Sequence, residues 1–137
     1  MTIITDSSFI YALYNTKDSY HRQAMEFSEQ YTGRVIIPDV ILPEVSYLLV
    51  RDLGYHGVQE FLGKFKEVGH SLEPLANSDL IRVHEISVEY SSAEFDIVDC
   101  CIMALAERLY ITKIATFDRR DFSIFRPHHC DYLELLP

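Results

Sequence analysis

The chain has 137 residues, 48% hydrophobic and 24% charged, with a formal net charge of −9 at pH 7. That length suits one domain, 1–137, with a single core, and a mean hydropathy of +0.01 fits a globular protein rather than a membrane-embedded or disordered one. The acidity argues against indiscriminate attraction to nucleic acid, because phosphate binding ordinarily gains from Lys and Arg, and it fits a cation site or a basic protein partner.

The opening MTIITDSSFIYALY has no cationic stretch before its apolar residues, and no apolar run approaches the roughly 18 residues needed to span a bilayer. A cytoplasmic location with no membrane contact is expected. Cys100, Cys101 and Cys130 are odd in number and lack a CxxC spacing, so they read as buried, reduced thiols.

Thr2 to Thr5 is a short β-rich run ending at Asp6, after which Ser7 or Ser8 can cap a helix bearing Phe9, Ile10, Leu13 and Tyr14. A second helix is predicted from Lys17–Asp18 to about Tyr31, with Gly33 closing it before a strand over Val35–Pro38. Asp39 is the expected N-cap of a helix over Val40 to Leu53 that Gly54 ends. On it Ile41, Val45, Leu48 and Leu49 recur at helical spacing, and Glu44 borders that inward face. A helix from His56 to Val68, ending near Gly69, leads to a weak strand over Ser71 to Leu75.

Asn77 to Tyr90 is mostly helical in pattern. Ile97 to Leu109 is apolar almost all round, as a central buried helix would be, and is entered through Glu94, Asp96 and Asp99. Lys113 to Phe117 reads as a strand running straight into Asp118, and Tyr132 to Leu136 as a last strand. Strands separated by helices imply right-handed crossovers. The expected fold is α/β, a single-domain α/β/α sandwich with a mostly parallel central sheet of about four or five strands.

Four acids, Asp6, Glu44, Asp99 and Asp118, follow strands or open helices, where ligands of open parallel sheets collect. Each has an ordinary alternative: Asp6 as a helix cap, Glu44 as a partner of Arg51, Asp99 as an anion at a helix start, Asp118 as a turn former. Asp96 competes with Asp99 for the cap of the buried helix; we assign the cap to Asp96. Hard divalent cations take oxygen ligands and keep waters, so a few acids from separate segments suffice. Two carboxylates about 5 Å apart repel by roughly 3 kcal/mol at an effective dielectric near 20, so such a site is strained without its ion.

Four stretches resemble one family: Ile4–Ser8, Pro38–Val45, Phe95–Asp99 with Ala104–Leu109, and Ala115–Phe122. Their order and spacing are similar to the PIN-domain family, particularly its VapC-type toxin ribonucleases. The resemblance implies that Asp6, Glu44, Asp99 and Asp118 are the catalytic and metal-binding acids, holding Mg²⁺ or Mn²⁺. Thr116 is the polar residue before the fourth acid, while the roles of Asp96 and Asp121 are left open. It further implies endonucleolytic cleavage of single-stranded or looped RNA, a homodimer and a cognate antitoxin.

Arg119, Arg120 and Arg126 follow Asp118, with His128 and His129, and are candidates for guiding RNA; a solvated basic loop is the plain alternative. Most of the nine tyrosines and eight phenylalanines, including Phe9, Phe27, Phe61, Phe65 and Tyr47, fit core positions. Two other classes of function compete: a catalytically silent PIN-like scaffold binding RNA or protein, and a phosphoacceptor receiver. The second lacks its central acid, since no convincing one follows the Ser71–Leu75 strand.

Overall fold

Five strands run in the order β3-β2-β1-β4-β5 in the computed structural model, which describes residues 1–67 and 70–137. They are β1 (Thr2–Thr5), β2 (Arg34–Pro38), β3 (Ser71–Glu73), β4 (Lys113–Ala115) and β5 (Glu134–Leu136). Every neighbouring pair is parallel, with Ile4 opposite both Ile36 and Ile114. The sheet is thus wholly parallel. Ile3, Ile4 and Thr5 are all fully buried, as in a strand covered on both faces.

Parallel pairing needs long crossovers, and helices supply them. They are α1 (Ser7–Tyr14), α2 (His21–Gln30), α3 (Leu42–Leu53), α4 (Tyr55–Glu67), α5 (Asn77–Glu89), α6 (Ile97–Leu109) and a short α7 (Arg120–Ile124). α1 packs on α2 and α3, α3 packs on α4, and α5 packs on α6. Cys100 to Ala106 of α6 are buried without a break, so this helix is enclosed all round as its composition requires.

Several local expectations are corrected. The cap of α1 is Asp6, not Ser7 or Ser8. Asp39 caps no α-helix: it opens a 3-10 turn, Asp39–Ile41, and its Oδ1 accepts the Leu75 N–H at 3.1 Å. α3 therefore starts at Leu42, later than Val40, with Pro43 in its first turn where no N–H is missed. It stops at Gly54, whose φ of 77° is the left-handed conformation glycine takes without a Cβ clash. Tyr47 is 67% exposed rather than core, and Cys130 is only half-buried. α7 was not foreseen. The expected end of α4 at Val68–Gly69 lies outside the described residues. No described helix is long and apolar enough to cross a membrane.

Candidate metal centre and active site

β1 and β4 lie side by side, and the strand order reverses between them: from β1 the chain steps to β2 and β3 on one side, then to β4 on the other. Beyond the carboxyl ends of such a pair lies the usual ligand crevice of an open parallel sheet. β1 delivers Asp6 there. Its Oδ1 accepts the Phe9 N–H at 2.9 Å, capping α1, and the Ser8 hydroxyl at 2.7 Å. Its Oδ2 accepts the Thr116 hydroxyl from beyond β4.

Both hydroxyls are themselves fixed. Ser8 Oγ accepts the Phe117 N–H at 2.9 Å, so its single proton is committed to Asp6. Thr116 Oγ1 accepts the Asp118 N–H at 2.9 Å. Asp6 thus caps a helix and faces the crevice at once, so the cap does not exclude the other use. Burial pushes its pKa up to about 6, against the pull of the bonds from Thr116, Phe9 and Ser8, and the Asp118 charge adds to the rise.

Asp96 caps α6, its Oδ1 accepting the N–H groups of Val98 at 2.8 Å and Asp99 at 3.3 Å. The cap assignment to Asp96 holds, and Asp99 stands one turn inside the helix. Burial, a hydrogen bond with Asp121 and the charges of Asp6, Asp96 and Asp121 raise the Asp99 pKa far above the carboxylate range. Asp121 is the residue that sequence reasoning undervalued. It is 6% exposed, its Oδ2 accepts the Asp96 N–H at 3.0 Å, and its Oδ1 meets Arg120 Nη1 at 2.7 Å. Its only sequence signal was an extra acid in the Ala115–Phe122 stretch.

Glu44 and Asp118 are exposed and complete the rim. Glu44 stands beside fully buried Val45 at the edge of the inward face, but it is exposed and turned to the crevice rather than to the core. Glu44 does not pair with Arg51, which binds Asp52 at 2.8 Å.

The crevice encloses about 110 Å³ and is lined by Asp6, Ser7, Ser8, Glu44, Asp96, Asp99, Asp118 and Asp121. Six carboxylates share it, with no Lys, Arg or His in the lining. Among the described residues, no three His, Cys, Asp or Glu side chains are arranged to hold an ion as they stand. The donor set itself fits a hard divalent cation: oxygen only, excess negative charge, and room for waters. The arginines contribute elsewhere. Arg119 bonds the Pro137 carbonyl, Arg120 also bonds the Ala93 carbonyl, and Arg126 bonds the carbonyls of Ser123 and Phe125.

Comparison with known proteins gives the same picture. Ribonuclease VapC26 of Mycobacterium tuberculosis is 25% identical over 128 residues, 91% of this chain and 93% of that protein. M. tuberculosis VapC20, described as a sarcin-ricin loop cleaving toxin, matches with a TM-score of 0.83 at 23% identity, over 98% of this chain and 99% of its own. VapBC2 from Rickettsia felis, bound to a DNA fragment from its promoter, matches with a TM-score of 0.71 at 14% identity, over 98% and 97%. The two structures speak for the fold alone. The family profile described as PIN domain matches residues 3–126, nearly the whole described sheet and every carboxylate of the crevice, and so the chain belongs to the PIN-domain family.

Proposed function

We propose that residues 1–137 form a single nuclease domain, a divalent-metal-dependent endoribonuclease that cleaves single-stranded or looped RNA as the toxin of a toxin–antitoxin pair. One observation carries the reading: six carboxylates meet beyond β1 and β4, and among the described residues only Asp121 has a basic partner. The relative named as a ribonuclease and the toxin described as cleaving the sarcin-ricin loop support RNA as the substrate. The VapBC structures and a toxin–antitoxin complex from Klebsiella pneumoniae support an antitoxin partner. A homodimer completes the proposal.

Asp6 and Asp99 are assigned as direct ligands of Mg²⁺ or Mn²⁺, with Glu44 and Asp118 closing the shell from the rim. When bound, the ion supplies Lewis acidity, activating water for in-line attack at phosphorus and neutralising charge on the phosphoryl and leaving oxygens. Thr116 and Ser8 fix both oxygens of Asp6, so its orientation precedes ion binding. Asp96 anchors the start of α6 and thereby the position of Asp99. Asp121 accepts the Asp96 N–H and pairs with Arg120, which fixes its carboxylate at the start of α6. Arg119, Arg120 and Arg126 are exposed beyond Asp118 and offer their remaining N–H groups to substrate phosphates.

The test is cleavage of single-stranded and hairpin RNA by the purified chain in Mn²⁺ against EDTA, with Asp6→Asn and Asp99→Asn. Metal-dependent cleavage lost in both variants supports the reading. Activity kept by folded variants refutes the ligand assignment, and RNA binding without any cleavage establishes the scaffold function instead.

A further inference from the structure

Three aromatic rings form a row beside the acidic crevice. Phe9 and Phe117 stack at 5.8 Å between centroids and 15° between planes, and Phe117 and Tyr20 at 4.5 Å and 12°. The row runs outwards, from Phe9 at 3% exposure through half-buried Phe117 to Tyr20 at 47%. Its inner members grow from the backbone that clamps Asp6: the Phe9 N–H bonds Asp6 Oδ1, and the Phe117 N–H bonds Ser8 Oγ. Phe117 immediately precedes Asp118, and Ser8, which lines the crevice, precedes Phe9.

We infer that Tyr20 is a stacking platform for an unpaired base of the RNA strand whose backbone enters the acidic crevice. The inference deepens the nuclease reading and takes the identity of its ligand from it. Tyr20 sits at the N-cap of α2 and makes no side-chain capping bond, although Ser, Thr, Asp or Asn would serve that position better. Its backbone is held on both sides, the N–H by Asp18 Oδ1 at 2.8 Å and the carbonyl by the Ala24 N–H at 2.9 Å. Among the described residues it is the one exposed tyrosine stacked flat on another ring.

One face of Tyr20 is fixed against Phe117, so little side-chain freedom remains to be lost when the other face meets a base. Every base has a π-face, so such a platform tolerates sequence, and it admits only bases free of a duplex. A ring stacked on the residue that precedes Asp118 therefore selects for single-stranded or looped RNA near the point of cleavage.

The competing role is apolar cover for Phe117, which leucine also provides. The test uses the full chain carrying Asp99→Asn to stop cleavage, with Mg²⁺ present, and short single-stranded oligoribonucleotides bearing 2-aminopurine at successive positions. The expected result is quenched fluorescence over one short stretch of positions. Tyr20→Leu removes the quench and weakens binding about tenfold, while melting temperature holds. Tyr20→Phe restores both, and Tyr20→Trp, which keeps the cover and enlarges the face, deepens the quench even if the leucine variant folds poorly.

Quenching that survives Tyr20→Leu and ignores Tyr20→Trp overturns the inference, as does the absence of oligonucleotide binding. If the parent chain cleaves RNA in Mn²⁺ but the quench is indifferent to residue 20, the platform alone falls. If the quench depends on Tyr20 and no metal-dependent cleavage is found, the platform stands and the nuclease reading falls.

Discussion

The two ends of the sheet differ in a way that volume does not report. At the amino ends of the strands lies a hollow of about 400 Å³, lined by residues that include Arg34, Lys113, Ile36, Leu109 and Ile111. At the carboxyl ends lies one of about 110 Å³ lined almost wholly by carboxylates. The larger is the less equipped. Its Arg34 is hydrogen-bonded to Ser71 Oγ at 3.0 Å, and its Lys113 is paired with Glu134 at 3.2 Å. The smaller holds six carboxylates, of which only Asp121 has an ion-pair partner among the described residues, Arg120 at 2.7 Å. Unmatched charge at a reversal of strand order locates chemistry better than size does.

Substitutions at the two ends sharpen this contrast. Asp6→Asn or Asp99→Asn removes a proposed ligand at the carboxyl end. Since outer-shell partners of a metal site alone are worth about 10–100-fold, a loss of cleavage beyond about 100-fold is expected in a gel assay with the fold kept by circular dichroism. Thr116→Val keeps the shape and deletes the hydroxyl on Asp6 Oδ2, so cleavage falls by about 10–100-fold and more Mn²⁺ is needed for half activity. An unchanged metal requirement would break the claim that Thr116 orients Asp6.

The third measurement is stability against pH in EDTA. Asp6 has a folded pKa of about 6 and an ordinary value of 3.8, so the folded state binds this proton the more tightly. Its contribution is full below the unfolded value and lost as pH rises through about 6, by up to about 3 kcal/mol. Melting temperature should decline across that window, and Mn²⁺ should raise it more above pH 6 than below. A cation effect independent of pH counts against carboxylate binding. The smallest effect belongs to the amino end: Lys113→Ala breaks a partly exposed pair, so stability changes by no more than about 1 kcal/mol and cleavage stays within about twofold.

Sequence alone carried the features set by short-range pattern. Thr2–Thr5 alternates with nothing and is simply buried on both faces; the unbroken apolar run of α6 and the strand–acid–helix order at Asp6 were equally plain. Features set by distant partners were not. Asp39 resembles an N-cap, yet it satisfies the Leu75 N–H, 36 residues away. Glu44 keeps the i−3 and i+4 spacing of a buried position, but the buried stripe runs through Ile41, Val45 and Leu49 and leaves Glu44 exposed at its edge. Asp121 sits in a five-residue helix, too short for any period to show. Tyr20 looked like one aromatic among many, because stacking on Phe117 joins positions almost a hundred residues apart.

The clamp on Asp6 also dates the assembly of the crevice. One of its oxygens is gripped by Ser8, but the other waits for Thr116, 110 positions later. A ribosome making this chain releases the first acid early and its second hydroxyl, with Asp118 and Asp121, only after about 110 further residues. Until that segment docks beside β1, the crevice lacks two of its six carboxylates and one of the two hydroxyls that hold Asp6.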